Sequence, residues 1–243
     1  MKKRTSVKEM NAICTMLIED FLKKFHYSNT RVIDIETFVT DYLGTKLVYE
    51  DFAVNVPGRG GFISDGIEPL PVLRDGMRQH VIFPENVIVI DSSLTEPNEQ
   101  AKLRFTIAHE AAHFIMNKHV SGDFTAAFHT EYTEGEYYTP DMLKEMLTIT
   151  ETITNRAAAC LLMPSFIVDR ALKTYNAGNK VTIYFGSTIV IPNPSKTIIQ
   201  RMADSMGVSY SACFYRLKEL SALNKRPIEE YAAAFNSMET GNV

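Results

Sequence analysis

The chain has 243 residues, 45% of them hydrophobic and 22% charged, with a formal net charge of −4. That length holds one large domain or one domain with a small appendage, and the composition is ordinary for a globular protein. No apolar run nears the ~20 residues of a membrane span, and the three widely spaced cysteines, Cys14, Cys160 and Cys213, form neither a metal pattern nor a disulfide framework.

The N-terminus, Met1-Lys2-Lys3-Arg4, is basic but no apolar stretch comes after it, so no secretory signal is expected and the cytoplasm is the natural compartment. Helical periodicity over residues 7–26 puts Ile13, Leu17, Phe21 and Phe25 on one side. A second short helix is expected over 34–43. Strand-like runs come next at Lys46-Leu47-Val48-Tyr49, Gly61-Phe62-Ile63 and Asn86-Val87-Ile88-Val89-Ile90, with glycines and prolines between 57 and 76 marking turns.

Pro97, flanked by Glu96 and Glu99, suits the start of a helix whose N-terminal dipole favours acids. From Ala101 to Met116 there is no Gly or Pro, and apolar residues are frequent enough for a largely buried helix. It contains His109-Glu110-Ala111-Ala112-His113, an HExxH pattern. Positions i and i+4 of a helix lie on one face, so both imidazoles can reach one Zn²⁺. Glu110, one residue round, is then placed to take a proton from a water that the metal acidifies. HExxH also arises by accident, and two core histidines bonded to backbone carbonyls are the plainer reading. Two adjacent buried imidazoles without a metal would, however, need separate partners.

A zinc site needs a third protein ligand. Residues 151–163 read as a helix stopped by Pro164, with Glu151 and Asn155 again one turn apart. Glu151 is either that ligand or a solvated acid at a helix start. Asn155 either bonds the outer nitrogen of a ligand histidine or caps a surface. The segment between, residues 117–147, is broken at Ser121-Gly122-Asp123 and Gly135 and holds His119, His129, Tyr132, Tyr137 and Tyr138. It is a polar surface loop or, functionally, a lid whose His129 or tyrosines stabilise an oxyanion.

Arg104-Phe105-Thr106-Ile107-Ala108-His109-Glu110-Ala111-Ala112-His113, followed by Glu151, Asn155 and Arg156-Ala157-Ala158-Ala159-Cys160-Leu161-Leu162-Met163-Pro164, resembles the ImmA/IrrE metallopeptidases. In that family an RFT-AHE--H helix precedes an E---N-FAA-LLMP helix. The likeness runs, more weakly, from about Asp34 to Leu223. It implies His109, His113 and Glu151 as zinc ligands and Glu110 as general base. Ala157 stands where the family commonly has Phe, and the interval from His113 to Glu151 is long. The resemblance implies an α+β, zincin-like core with a small mixed sheet. It also implies a protein substrate, with helix-turn-helix repressors of mobile elements or stress regulons as the associated class. In zincins a strand beside the active-site helix offers its edge to substrate, and a strand in the 46–90 region is assigned that role.

Residues 198–220 read helix, turn, helix: Ala203 allows close approach, Gly207 takes a left-handed turn and Ser209 caps the second helix. Only Arg216 and Lys218 on that second helix are basic, while Tyr210, Phe214 and Tyr215 suit packing, so direct DNA binding is not expected. Residues 1–31 carry seven Lys/Arg against three Asp/Glu, residues 32–170 ten against twenty-one, and residues 171–243 eight against five. The acidic middle argues against nucleic acid at the metal face. The expected organisation is an N-terminal helix (1–31), a metallopeptidase core (32–170) and a C-terminal helical module (171–243). The expected function is zinc-dependent proteolysis of a protein such as a DNA-binding repressor. The alternative is a non-catalytic, metal-containing regulator acting through partner or DNA binding, against which the intact Glu110 argues.

Overall fold

The computed structural model describes residues 7–27, 29–53, 60–119 and 149–232. The chain divides into two compact units, Met1–Pro164 and Ser165–Val243. It is a mixed α and β fold.

In the first unit, α1 (Val7–Lys24) carries Lys23 and Lys24 in its last turn, where the helix dipole favours cations. Its buried stripe is Met10, Cys14, Ile18 and Phe21. The expected stripe through Ile13 and Leu17 is thus turned by about one residue, and only Phe21 belongs to both. The cause is the neighbour: α1 lies against α4 (Ile149–Leu162), with Cys160 Sγ 3.5 Å from both Thr15 Oγ1 and the Asn11 carbonyl. The expected helix at 34–43 is a short α turn, α2 (Ile35–Thr37), running into a wider turn over Phe38–Tyr42. Asp34 caps it by accepting from Thr37 N at 3.0 Å. Phe21 and Phe38 meet edge-on, their centroids 5.4 Å apart, and tie α1 to this turn.

Strands β1 (Leu47–Glu50), β2 (Gly61–Ile63) and β5 (Ile88–Asp91) form one sheet in the order β1-β5-β2. The pairing β1–β5 is parallel, Leu47 opposite Ile88, and β2–β5 antiparallel, Gly61 opposite Ile90. Between them, where glycines and prolines point only to turns, stands a hairpin of β3 (Leu70–Arg74) and β4 (Met77–Val81). Asp75 and Gly76 join them, both left-handed at φ 53° and 72°. A two-residue Asp-Gly connection favours that conformation because its twist matches the flanking strands. Phe62, Leu70, Val72, Phe83, Val87 and Val89 pack together as a core of this region. Helix α3 (Gln100–His119) comes after a 3-10 turn, Pro97–Glu99, and lies against β2 and β5 on one side and α4 on the other.

The second unit contains α5 (Ser165–Asn176), β6 (Val181–Phe185), β7 (Ile189–Val190), α6 (Asn193–Met206), α7 (Tyr210–Glu219) and β8 (Leu223–Pro227). Gly207 ends α6 at φ 65°, ψ 41°, and Ser209 caps α7 by accepting from Ala212 N at 3.2 Å, in keeping with the sequence pattern. This unit is more than the expected helical module. Its strands form a sheet, β7-β6-β8, in which β6 and β8 are parallel neighbours. Arg216 is buried at 2% exposure and pairs with Glu219 at 2.8 Å. No helix among the described residues is long and apolar enough to cross a membrane.

Candidate metal centre

Helices α3 and α4 pack against each other, and both carry fully buried small residues. Ala108, Ala111 and Ala112 on α3 and Ala157 and Ala158 on α4 are all fully buried. Ala157, where the resemblance leads one to expect Phe, is fully buried in a helix that packs on both α1 and α3. The buried stripe of α3 also includes Ile107 and Ile115. It turns His109 and His113 towards the same side as Glu151 of α4.

The three candidate ligands meet. His113 Nε2 lies 3.1 Å from His109 Nε2. The Glu151 carboxylate reaches both rings, Oε2 at 3.4 Å from His109 Nε2 and Oε1 at 3.3 Å from His113 Nε2. Among the described residues this is the group of His, Cys, Asp and Glu side chains that could hold a metal ion. The side chains of His109, His113 and Glu151 are 20%, 14% and 19% exposed, which seats the cluster at a partly open surface rather than deep in the core. Asn155, one turn beyond Glu151, places Oδ1 3.1 Å from His109 Nδ1. An amide oxygen can only accept, so Nδ1 carries the proton and the Nε2 lone pair points into the cluster.

Burial opposes charge on His113, but the Glu151 hydrogen bond and the Glu110 and Glu151 carboxylates outweigh it and raise its pKa. Glu110 is 4% exposed, and its Oε2 is buried with no hydrogen-bond partner. A carboxylate oxygen in that state is costly to the fold and marks a place where a polar ligand is expected.

All five residues singled out in the sequence, His109, Glu110, His113, Glu151 and Asn155, thus come from two packed helices of one unit. Of the 117–147 segment, residues 120–147, His129 and the tyrosines included, lie outside the described residues. The sequence gives no direct hint that β2 borders the site. Its Gly60-Gly61 backbone runs directly against Thr106 and Glu110. The available signal is a pair of glycines opening a strand, which often marks close backbone approach. No contact among the described residues identifies a substrate-binding strand, but the sheet order bears on which strands have an open edge. β5 is central and paired on both sides, whereas β2 ends the sheet beside α3.

The family model for the IrrE N-terminal-like domain, Peptidase_M78, matches residues 40–218. The chain belongs to this family. The match spans the HExxH helix, the Glu151 helix and most of the second unit. Similar proteins include the radiation response metalloprotease IrrE of Deinococcus deserti, 28% identical over 158 residues, which is 65% of this chain and 45% of that protein. The protein of the same name from Deinococcus radiodurans is 27% identical over 144 residues, 59% of this chain and 34% of that one. The chain thus spans less than half the length of these M78 relatives.

Proposed function

We propose that the chain is a zinc-dependent endopeptidase whose metal is held by His109, His113 and Glu151. The observation that carries this reading is the convergence of two imidazoles and a carboxylate at 3.1–3.4 Å, beside a buried glutamate oxygen with no partner. Those separations fit the ion: ligands bonded to Zn²⁺ at about 2.0–2.1 Å in a tetrahedron stand roughly 3.3 Å apart. Two histidines and one glutamate also make the donor set of catalytic sites that keep a fourth position open. Zn²⁺ held there supplies Lewis acidity, acidifying a water and polarising a peptide carbonyl.

The chain's own residues do the rest. Asn155 holds the His109 ring so that Nε2 faces the ion. Glu110 Oε2, bonded to nothing else, accepts a proton from water as the hydroxyl adds to the carbonyl carbon. It then delivers that proton to the departing amide nitrogen, so one water is consumed per bond cut. The outer edge of β2 can pair with an extended segment of substrate backbone. The ImmA/IrrE resemblance supports a DNA-binding repressor as the protein cut, and the names of the Deinococcus relatives support proteolysis as the activity. Burial of Arg216 leaves Lys218 as the exposed basic side chain of α7, which favours protein over DNA as the partner.

Glu110→Gln tests the reading. Glutamine cannot take up the proton, so hydrolysis of a co-expressed helix-turn-helix repressor should fall by at least ~100-fold, the low end for losing a general base. Metal content should stay the same. If wild type and variant both leave the repressor intact yet relieve repression equally, the chain acts by binding instead.

A further inference from the structure

We infer that Gly61 is a positioning residue for Glu110: having no side chain, it leaves the space in which the Glu110 carboxylate stands. The inference rests on the general-base role proposed above and names what holds that base in place.

A Cβ at position 61 would lie 2.8 Å from both Cγ and Oε1 of Glu110 and 2.7 Å from Thr106 Cγ2. Real Cβ atoms essentially never approach so closely. Thr106 and Glu110 are i and i+4 on α3, so they present neighbouring side chains to the same piece of strand. Gly61 is not among the glycines with left-handed backbone, so no unusual φ demands a glycine there. A glycine inside a strand weakens it and packs nothing. Its remaining contribution here is the room it leaves.

The strand cannot simply withdraw. Gly61 is in register with Ile90, and Asp91 N donates to the Gly60 carbonyl at 2.8 Å. Gly60 is just as tightly placed, since a Cβ there would meet Leu94 Cδ1 at 2.5 Å. The end of the Glu110 side chain, whose Oε1 is among the atoms met, is a flexible terminus that can yield more readily than the paired strand. An added methyl group at 61 therefore displaces the carboxylate. The three nearest atoms it meets belong to Thr106 and Glu110, so the expected outcome is that the metal ligands keep their places, which the zinc count reads.

The test uses the zinc-loaded full chain and acetohydroxamate, a small chelator whose hydroxyl proton is taken up by a carboxylate beside the metal. Its affinity is measured by calorimetry for wild type, Gly61→Ala, Glu110→Gln and the double variant, with zinc per chain counted in each. Loss of a hydrogen bond to a charged group predicts weaker binding by roughly tenfold or more in each single variant. If Gly61 acts through Glu110, the double variant binds no more weakly than either single one, and zinc content is unchanged throughout. A merely structural role would make the two losses multiply. Wild-type affinity in Gly61→Ala, multiplied losses, or loss of zinc from Gly61→Ala would each overturn the inference. Wild-type affinity in Glu110→Gln would sink the general-base reading itself. Should Gly61→Ala not fold, Gly61→Ala with Thr106→Ala, which removes Cγ2, carries the same comparison.

Discussion

Replacing Asn155 by alanine separates a residue that organises the metal centre from one that merely decorates a helix. Its Oδ1 accepts from His109 Nδ1 at 3.1 Å and so fixes which ring nitrogen has its lone pair free for the ion. Losing such a partner typically weakens metal affinity by about 10- to 100-fold. Asn155 is exposed, so water can replace part of the bond, and the expected loss sits at the low end, about tenfold or ~1.4 kcal/mol. The same exposure means that metal-free stability should change by no more than about 0.5 kcal/mol. Zinc affinity is read by competition with a chromogenic chelator, and stability by urea unfolding of the zinc-free chain. A zinc affinity within twofold of wild type would refute the reasoning and reduce Asn155 to a surface residue. A large drop in metal-free stability would show that it serves the fold.

The raised pKa of His113 predicts opposite pH trends with and without metal. In the zinc-free chain, protonated His113 beside Glu151 and Glu110 adds stability below its unfolded pKa of about 6.5, and this is lost as pH rises through the higher folded value. Metal needs the neutral ring, so zinc affinity should instead climb over that interval. Thermal midpoints from pH 6 to 8.5, with zinc or with chelator, compared against His113→Gln, check this; parallel trends would count against it. Arg216→Ala should destabilise the chain by roughly 1–3 kcal/mol, less than for a fully buried pair because Glu219 is 19% exposed. Random duplex DNA should show no steep, salt-sensitive binding, and a slope of several counterions in a fluorescence titration would revive the DNA reading. All three cysteines are buried, and burial pushes the Cys213 thiol up to about 12. Iodoacetamide at pH 8 should therefore leave the folded chain unmodified while labelling three sites in urea; rapid labelling of native protein would contradict that burial.

Features set by neighbouring residues are legible in the sequence. The four-residue spacing of His109 and His113 puts two imidazoles on one helical face in any fold that keeps the helix. Gly207 and Ser209 end one helix and start the next by local hydrogen bonds alone. The Asp75-Gly76 hairpin is equally local, yet Pro71, Arg74 and Arg78 interrupt the alternation of its strands and hide it. Chain order could not decide the contacts between distant segments. Which side of α1 is buried depends on α4 docking beside it, and the difference of about one residue is invisible in a periodicity that fits both. β8, Leu223-Asn224-Lys225-Arg226-Pro227, buries only its first residue and becomes a strand because β6 offers it a parallel partner. That β5 is central and β1 and β2 are edges is set by pairing order, not by composition. Glu151 and Asn155 reach the histidines only because α3 and α4 pack together, and Gly61 meets Glu110 only because β2 is pinned to β5. Periodicity and capping act within a few residues, whereas the meeting of separate helices and strands is settled by how well their surfaces pack.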